Sequence, residues 1–237
     1  MTILLLAFPW IAVLVFLVLF TRIPSELPPA DALDPERALR VSVVIPARNE
    51  AVNIENCLSS IAASTYPDFE IIIVNNYSTD HTLDVIGQIR DPRVQTFNYQ
   101  NNGVIGAGRN VGIKASVGTY VAFLDSDDTW YPNKLERVAE AITDDPQAGL
   151  LCHNQDLVRD GGITKQSRYG PPKGFRGSLY DYLVLVGNCV STSATVVAKQ
   201  YLDEVGYFSE AERLATVEDY DLWVKLSKVC RFKFIDQ

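Results

Sequence analysis

The stretch "VAFLDSDDTW", residues 121–130, runs apolar residues straight into Asp125, Asp127 and Asp128. Carboxylates this close repel one another, so ending a hydrophobic run on them needs a reason. Aspartate is an ordinary turn residue, and a solvated turn is one reason. A bound cation is the other, because hard cations take oxygen ligands of this kind.

Four more clusters carry groups able to do chemistry. "PARNE" places Arg48, Asn49 and Glu50 behind Pro46 and Ala47. "VNNYSTD" sets Asn75 and Asn76 just before Ser78. "GVIGAGRN" brings Arg109 and Asn110 to a glycine-rich run. It is not a dinucleotide fingerprint, since Val111 stands where the last glycine belongs and no buried strand leads directly into Gly106. "VEDYDLW" opens on Glu218, Asp219 and Asp221. A helix N-terminus suits such carboxylates, and a carboxylate can also serve as a general base. Each cluster has a plain structural reading beside the chemical one. Asn49 caps a helix, Asn75 and Asn76 make a turn, and Arg109 is an ion-pair partner.

What must position these groups is a rhythm of short elements. "VSVVIP", "FEIIIVNN", "RVQTFNY" and "TYVAFLD" read as strands. Between them, "NEAVNIENCLSSIAAS", "TDHTLDVIGQIR" and "GAGRNVGIKAS" read as helices, the first through apolar residues at Val52, Ile54, Leu58 and Ile61. Ser78 or Thr79 is the expected cap of the second. Alternation of this kind predicts an α/β fold, Rossmann-like, with a twisted, mostly parallel sheet and helices on both faces. Ligands of such sheets bind beyond the carboxyl ends of the strands. That puts Pro46–Arg48, Asn75–Asn76 and Asp125–Asp127 on one rim. Further on, "NKLERVAEAIT", "SLYDYLVLVGN", "YLDEVGYF" and "EDYDLWVKLSKV" read as helices and "GLLCHNQDLV" as one strand. Residues 161–177 read as a loop rich in glycine and proline. It carries Lys165, Arg168, Lys173 and Arg176 and is expected to close over charged substrate.

The 237 residues carry a formal net charge of −8, which excludes nucleic acid as the main partner. Hydrophobic residues make up 47%, enough for one sizeable core. Cys57, Cys152, Cys189 and Cys230 are too scattered for a zinc site or disulfide framework. "ILLLAFPWIAVLVFLVLF", residues 3–20, holds no charge and is long enough to span a bilayer. It lacks the basic start and cleavage site of a signal peptide, so a retained single-pass anchor is expected over residues 1–22. Arg22 favours a cytoplasmic location for the residues C-terminal to it. Pro24, Pro28, Pro29 and Pro35 make residues 23–40 an extended linker. The domain proper is expected over residues 41–237, divided near residue 130.

Taken in order, "VSVVIPARNEAVNIENCLSSIAASTYPDFEIIIVNNYSTDHT", "NNGVIGAGRNVGIKASVGTYVAFLDSDDTWYPNKL" and "VEDYDLWVKLSK" resemble family 2 glycosyltransferases of the GT-A fold. The resemblance implies transfer of a sugar from a nucleotide-diphosphate donor, with inversion, to a glycan or lipid-linked acceptor. It makes Asp125-Ser126-Asp127 the DxD motif, with Asp127 and Asp125 at a Mg2+ or Mn2+ ion held by the donor diphosphate. It puts Pro46, Ala47, Arg48, Glu50, Asn76 and Ser78 at the base and ribose. Arg109 and Asn110 come beside the diphosphate, and Asp219 becomes the catalytic base, with Glu218 its alternative. Asp221 and Trp223 support the helix or the acceptor side. The family usually has two acidic residues where this chain has Asn75 and Asn76. An amide pairs twice with uracil or thymine but not with guanine's two adjacent donors, which favours a UDP-sugar. Two other readings stay open. One is a nucleotidyltransferase with a similar half-sheet, which would want a glycine after the first strand. The other is a non-catalytic nucleotide-sugar-binding or scaffold protein.

Overall fold

The structure, a computed structural model, describes residues 39–159 and 161–236. The span at residues 3–20 and the linker up to residue 38 lie outside these. Among the described residues no helix is long and apolar enough to cross a membrane.

Along the chain run β1 (Val41–Ala47), α1 (Ile54–Ala62), β2 (Phe69–Asn75), α2 (Thr82–Gln88), β3 (Val94–Asn98), α3 (Ile105–Ala115) and β4 (Tyr120–Phe123). Then come α4 (Lys134–Asp144), β5 (Ala148–His153), β6 (Gln155–Arg159), β7 (Gly162–Ser167), α5 (Leu179–Leu185), β8 (Thr195–Ala198), α6 (Lys199–Val205), α7 (Glu218–Leu226) and β9 (Arg231–Ile235). Seven strands form one sheet in the order β3-β2-β1-β4-β8-β5-β9, and β6 pairs with β7 apart from it.

The expected alternation is there. β1 pairs in parallel with both β2 and β4, and β2 with β3. β2 and β4 are buried along their whole length, which is why their valines and isoleucines do not alternate with polar residues. β8 alone is reversed, between β4 and β5, so the sheet is mixed. It also runs through both expected halves without a break. A Cβ on Gly112 would stand 2.3 Å from Val44 Cγ1, so glycine there lets α3 lie close against β1. On the same layer Phe208 and Trp223 pack edge-to-face, with ring centres 6.1 Å apart, and fasten α7 beneath the sheet.

Several boundaries differ from expectation. α1 starts at Ile54, and Val52 is exposed outside it. Asn49 caps nothing. It sits at φ +57°, and its Oδ1 accepts the Thr79 N–H at 2.8 Å. Neither Ser78 nor Thr79 caps α2, because Asp80 Oδ1 accepts the Thr82 N–H at 3.0 Å and takes over the turn. "GLLCHNQDLV" is two strands, since the buried run stops at His153 and a polar, exposed pattern begins at Gln155. The expected loop at 161–177 contains β7, the second strand of a hairpin entered through Gly161 at φ +75°. Its Lys173 and Arg168 stand 3.0 Å and 3.9 Å from Asp236, just past the edge strand β9.

Candidate active site

The carboxyl ends of β1, β2 and β4 open on a cleft of about 400 Å3. Pro46, Ala47, Arg48 and Glu50 form one wall, and Asn76 and Asn101 another. Arg109 with Asp125, Ser126 and Asp127 completes it. Of the expected donor-side residues, then, only Ser78 and Asn110 fall outside the lining. Ser78 Oγ donates to Asn75 Oδ1 at 2.6 Å and accepts the Asn49 N–H at 3.0 Å, which ties the loops after β1 and β2 together. The Asn110 amide grips the backbone of Phe208 and reaches Glu210. A larger groove, about 490 Å3, lies between α4 and β9, but none of the candidate residues line it.

The three carboxylates of the turn have three different fates. Asp125 Oδ1 receives Arg109 Nη2 at 2.6 Å. Asp128 is half-buried, and desolvation pushes its carboxyl above the ordinary range. Asp127 is exposed in the cleft wall and takes part in no hydrogen bond or ion pair among the described residues. The protein itself therefore neutralises Asp125 and leaves Asp127 open. Among the described residues no three His, Cys, Asp or Glu side chains are grouped to enclose a metal. One or two carboxylates in an open cleft do fit a hard divalent cation that draws its other ligands from phosphate and water.

Arg109 also donates through Nη1 to Glu218 Oε1 at 3.1 Å, with both side chains buried. A Cβ on Gly106 would meet Phe208 Cβ at 2.9 Å and Glu218 Cγ at 3.1 Å, so α3 needs glycine there to approach α7. The ion-pair reading of Arg109 is thus realised, at a position where it also faces the cleft. Beside Glu218, Asp219 makes no salt bridge among the described residues. Its Oδ1 accepts the Tyr220 N–H at 2.6 Å, and Thr192 Oγ1 lies 3.4 Å from its Oδ2. Burial raises its carboxyl above the ordinary range and Glu218 adds to this, while the Tyr220 N–H, Arg109 and Thr192 oppose it. Asp221 pairs with Lys225 at 2.6 Å and Trp223 is wholly buried, so both support the helix.

Asn76 is less free than its sequence suggests. Its Nδ2 donates to Asn101 Oδ1 at 2.6 Å and its Oδ1 accepts the Asn101 N–H at 3.1 Å. One N–H and one lone pair remain for a ligand. Asn101, Thr192 and Ser193 were not evident from sequence. They lie in runs of small polar residues that carry no charge to draw attention.

The family model for glycosyl transferase family 2 matches residues 42–204. The chain belongs to glycosyl transferase family 2. An uncharacterized glycosyltransferase of Rickettsia conorii is 31% identical over 199 residues, which cover 82% of this chain and 32% of that protein. The chain thus spans about a third of that relative's length. S. aureus TarS 1–349, crystallised with UDP, is 25% identical with a TM-score of 0.67, over 83% of this chain and 57% of that one. A mannosyltransferase of Pyrobaculum calidifontis, solved with GDP-Man and Mn2+, shares the fold at a TM-score of 0.63 and 20% identity, over 99% of this chain and 65% of the other. In this family-2 chain the mixed sheet with its single reversed strand is the α/β fold of those transferases.

Proposed function

We propose that this chain is an inverting glycosyltransferase that moves a sugar from a UDP-sugar to a glycan or lipid-linked acceptor in cell-envelope polysaccharide synthesis. One observation carries the reading. Arg109 joins Asp125 of the D-x-D turn to Glu218, the neighbour of Asp219, so donor cleft and acceptor-side carboxylates are linked through one side chain.

The base and ribose bind between Arg48, Glu50 and the Asn76–Asn101 pair, and Asn76 spends its remaining donor and acceptor on the uracil edge. The likeness to TarS, solved with UDP, supports that choice of base. Asp127, with Asp125, would hold Mg2+ or Mn2+, and the ion would supply neutralising charge for the departing diphosphate. Arg109 keeps Asp125 fixed from the opposite side. Asp219 takes the proton from the acceptor hydroxyl as its oxygen bonds to the anomeric carbon, and the bond to the diphosphate breaks on the far face. Asp219 suits this better than Glu218, whose carboxylate is already bound to Arg109. Its raised proton affinity moves it toward the pH at which it must work. Residues 3–20 anchor the chain in a membrane, with the catalytic domain on the cytoplasmic side.

The test is transfer from an α-linked UDP-sugar in the presence of Mn2+, with the product read by NMR. A β-linked product is expected. An α-linked product, transfer from a GDP- or dTDP-sugar but from no UDP-sugar, or no transfer at all, overturns the proposal.

A further inference from the structure

A second network lies beneath the D-x-D turn, and the proposed transfer reaction leaves it unused. Lys134 opens α4 and is 5% exposed. Its ammonium makes no salt bridge among the described residues. Nζ donates to the Ser193 carbonyl at 3.0 Å and stands 3.3 Å from the centre of the Trp130 ring. Trp130 Nε1 donates to the same carbonyl at 2.9 Å. On the other side of that residue, Ser193 Oγ accepts the Asp125 N–H at 3.1 Å. One position earlier is Thr192, the hydroxyl beside Asp219.

A buried ammonium that makes no salt bridge is a poor way to stabilise a fold, even with the charge of Asp128 near enough to favour its protonated form. Burial holds the Lys134 ammonium well below its ordinary pKa, and an aliphatic side chain would fill the space without that cost. What the ammonium does hold is one carbonyl. Two donors on one carbonyl oxygen hold the Ser193 backbone in place, and from that backbone the Ser193 hydroxyl reaches the Asp125 N–H. That hydroxyl sets the first residue of the D-x-D turn.

We propose that Lys134 and Ser193 are positioning residues: Lys134 and Trp130 clamp Ser193, and Thr192–Ser193 keeps the Asp125–Asp127 turn in register with Asp219. The proposal rests on the sugar-transfer reading. Its effect on rate comes from the cost of misplacement, since a shift of about 1 Å at reacting groups can lower a rate about 100-fold.

The test uses Lys134→Met and Ser193→Ala in the full chain, with two readouts. Hydrogen exchange at the Asp125 amide reports the clamp directly, and about tenfold faster exchange is expected in both variants. Sugar transfer reports its consequence. Turnover with donor should fall about tenfold or more while the acceptor KM stays within about twofold. Lys134→Met should melt no lower than the parent. Unchanged Asp125 exchange in both variants overturns the clamp, and parent-like turnover in either folded variant overturns its role in positioning. A Lys134→Met protein that melts far below the parent with unchanged turnover makes that lysine structural only. A parent that transfers sugar from no donor overturns the transfer reading instead, and exchange still decides the clamp.

Discussion

Arg109 on α3 and Glu218 on α7 meet at 3.1 Å with both side chains almost wholly buried. The contact joins the first half of the sheet to the helix that carries the proposed base. Removing one partner of a buried pair strands the other's charge, at a cost of about 3–5 kcal/mol. Arg109→Met should therefore lower the urea midpoint sharply. Adding Glu218→Gln should recover part of the loss. A single variant as stable as the parent would show that the pair holds nothing together.

Asp127 makes the opposite prediction. Nothing among the described residues pairs with it, so Asp127→Asn should leave stability within about 0.5 kcal/mol, as surface substitutions do. Donor turnover should fall about 100-fold or more, the scale of losing one charge-stabilising group at a transition state. Thermal melts and turnover on the same preparation separate the two effects. Full Mn2+-dependent activity in this variant removes Asp127 from the site.

Within the carboxylate pair, Asp219→Asn should abolish transfer and leave nucleotide affinity intact. General bases contribute about 100- to 10,000-fold. Glu218→Gln should instead act mainly on stability through Arg109. If Glu218→Gln is the inactive but stable protein and Asp219→Asn still works, the assignment is reversed.

The raised carboxyl of Asp219 also fixes the sign of a pH effect. The base works ionised, so activity is present above its pKa in the folded protein and lost as pH falls through it. That pKa is above the ordinary value of 3.8, so the acid limb of the kcat profile should lie above it too. Thr192→Val removes a contact that lowers the pKa, and the limb should move further up. A limb that stays in place in this variant would detach Thr192 from Asp219.

Much of this was legible in the sequence because it depends on local pattern. Runs such as "FEIIIVNN" are apolar along most of their length, as a strand buried on both faces needs to be. Where those strands end, Asp125, Asp127 and Arg48 had to share a rim. The parts that were not legible depend on distant contacts. Nothing local says that Asn110 will hold Phe208, 98 residues away. β8 is four residues long and reversed, so it broke the alternation that made the other strands visible. The hairpin of β6 and β7 had a signal, the Asp160-Gly161 dipeptide between β-branched runs, which the surrounding glycines and prolines obscured.

That hairpin changes the expectation for the cations at 161–177. Arg168 and Lys173 lie against Asp236 in exposed pairs, and neither lines the cleft. Replacing both by Gln should leave the donor KM unchanged at low and high salt. A rise in donor KM that fades with added salt would restore the idea of a closing loop.

The anchor is tested by fractionation. A chain begun near Pro35 keeps everything from β1 onward and should be folded and soluble. The full chain should stay with membranes through a high-salt wash, as a spanning helix does and a charge contact does not. Full-length protein in the soluble fraction would refute the span.

The central claim is that Asp127 and a divalent cation together bind a nucleotide diphosphate in the cleft. Thermal melts of the parent and of Asp127→Asn, with UDP and each UDP-sugar, in Mn2+ or in EDTA, test it most directly. A ligand at about 100 times its Kd stabilises the folded state by about 2.7 kcal/mol, a readily visible shift. The account predicts that shift for the parent in Mn2+, with little in EDTA and little for the variant in either. Equal shifts in Mn2+ and EDTA, or in parent and variant, would contradict it.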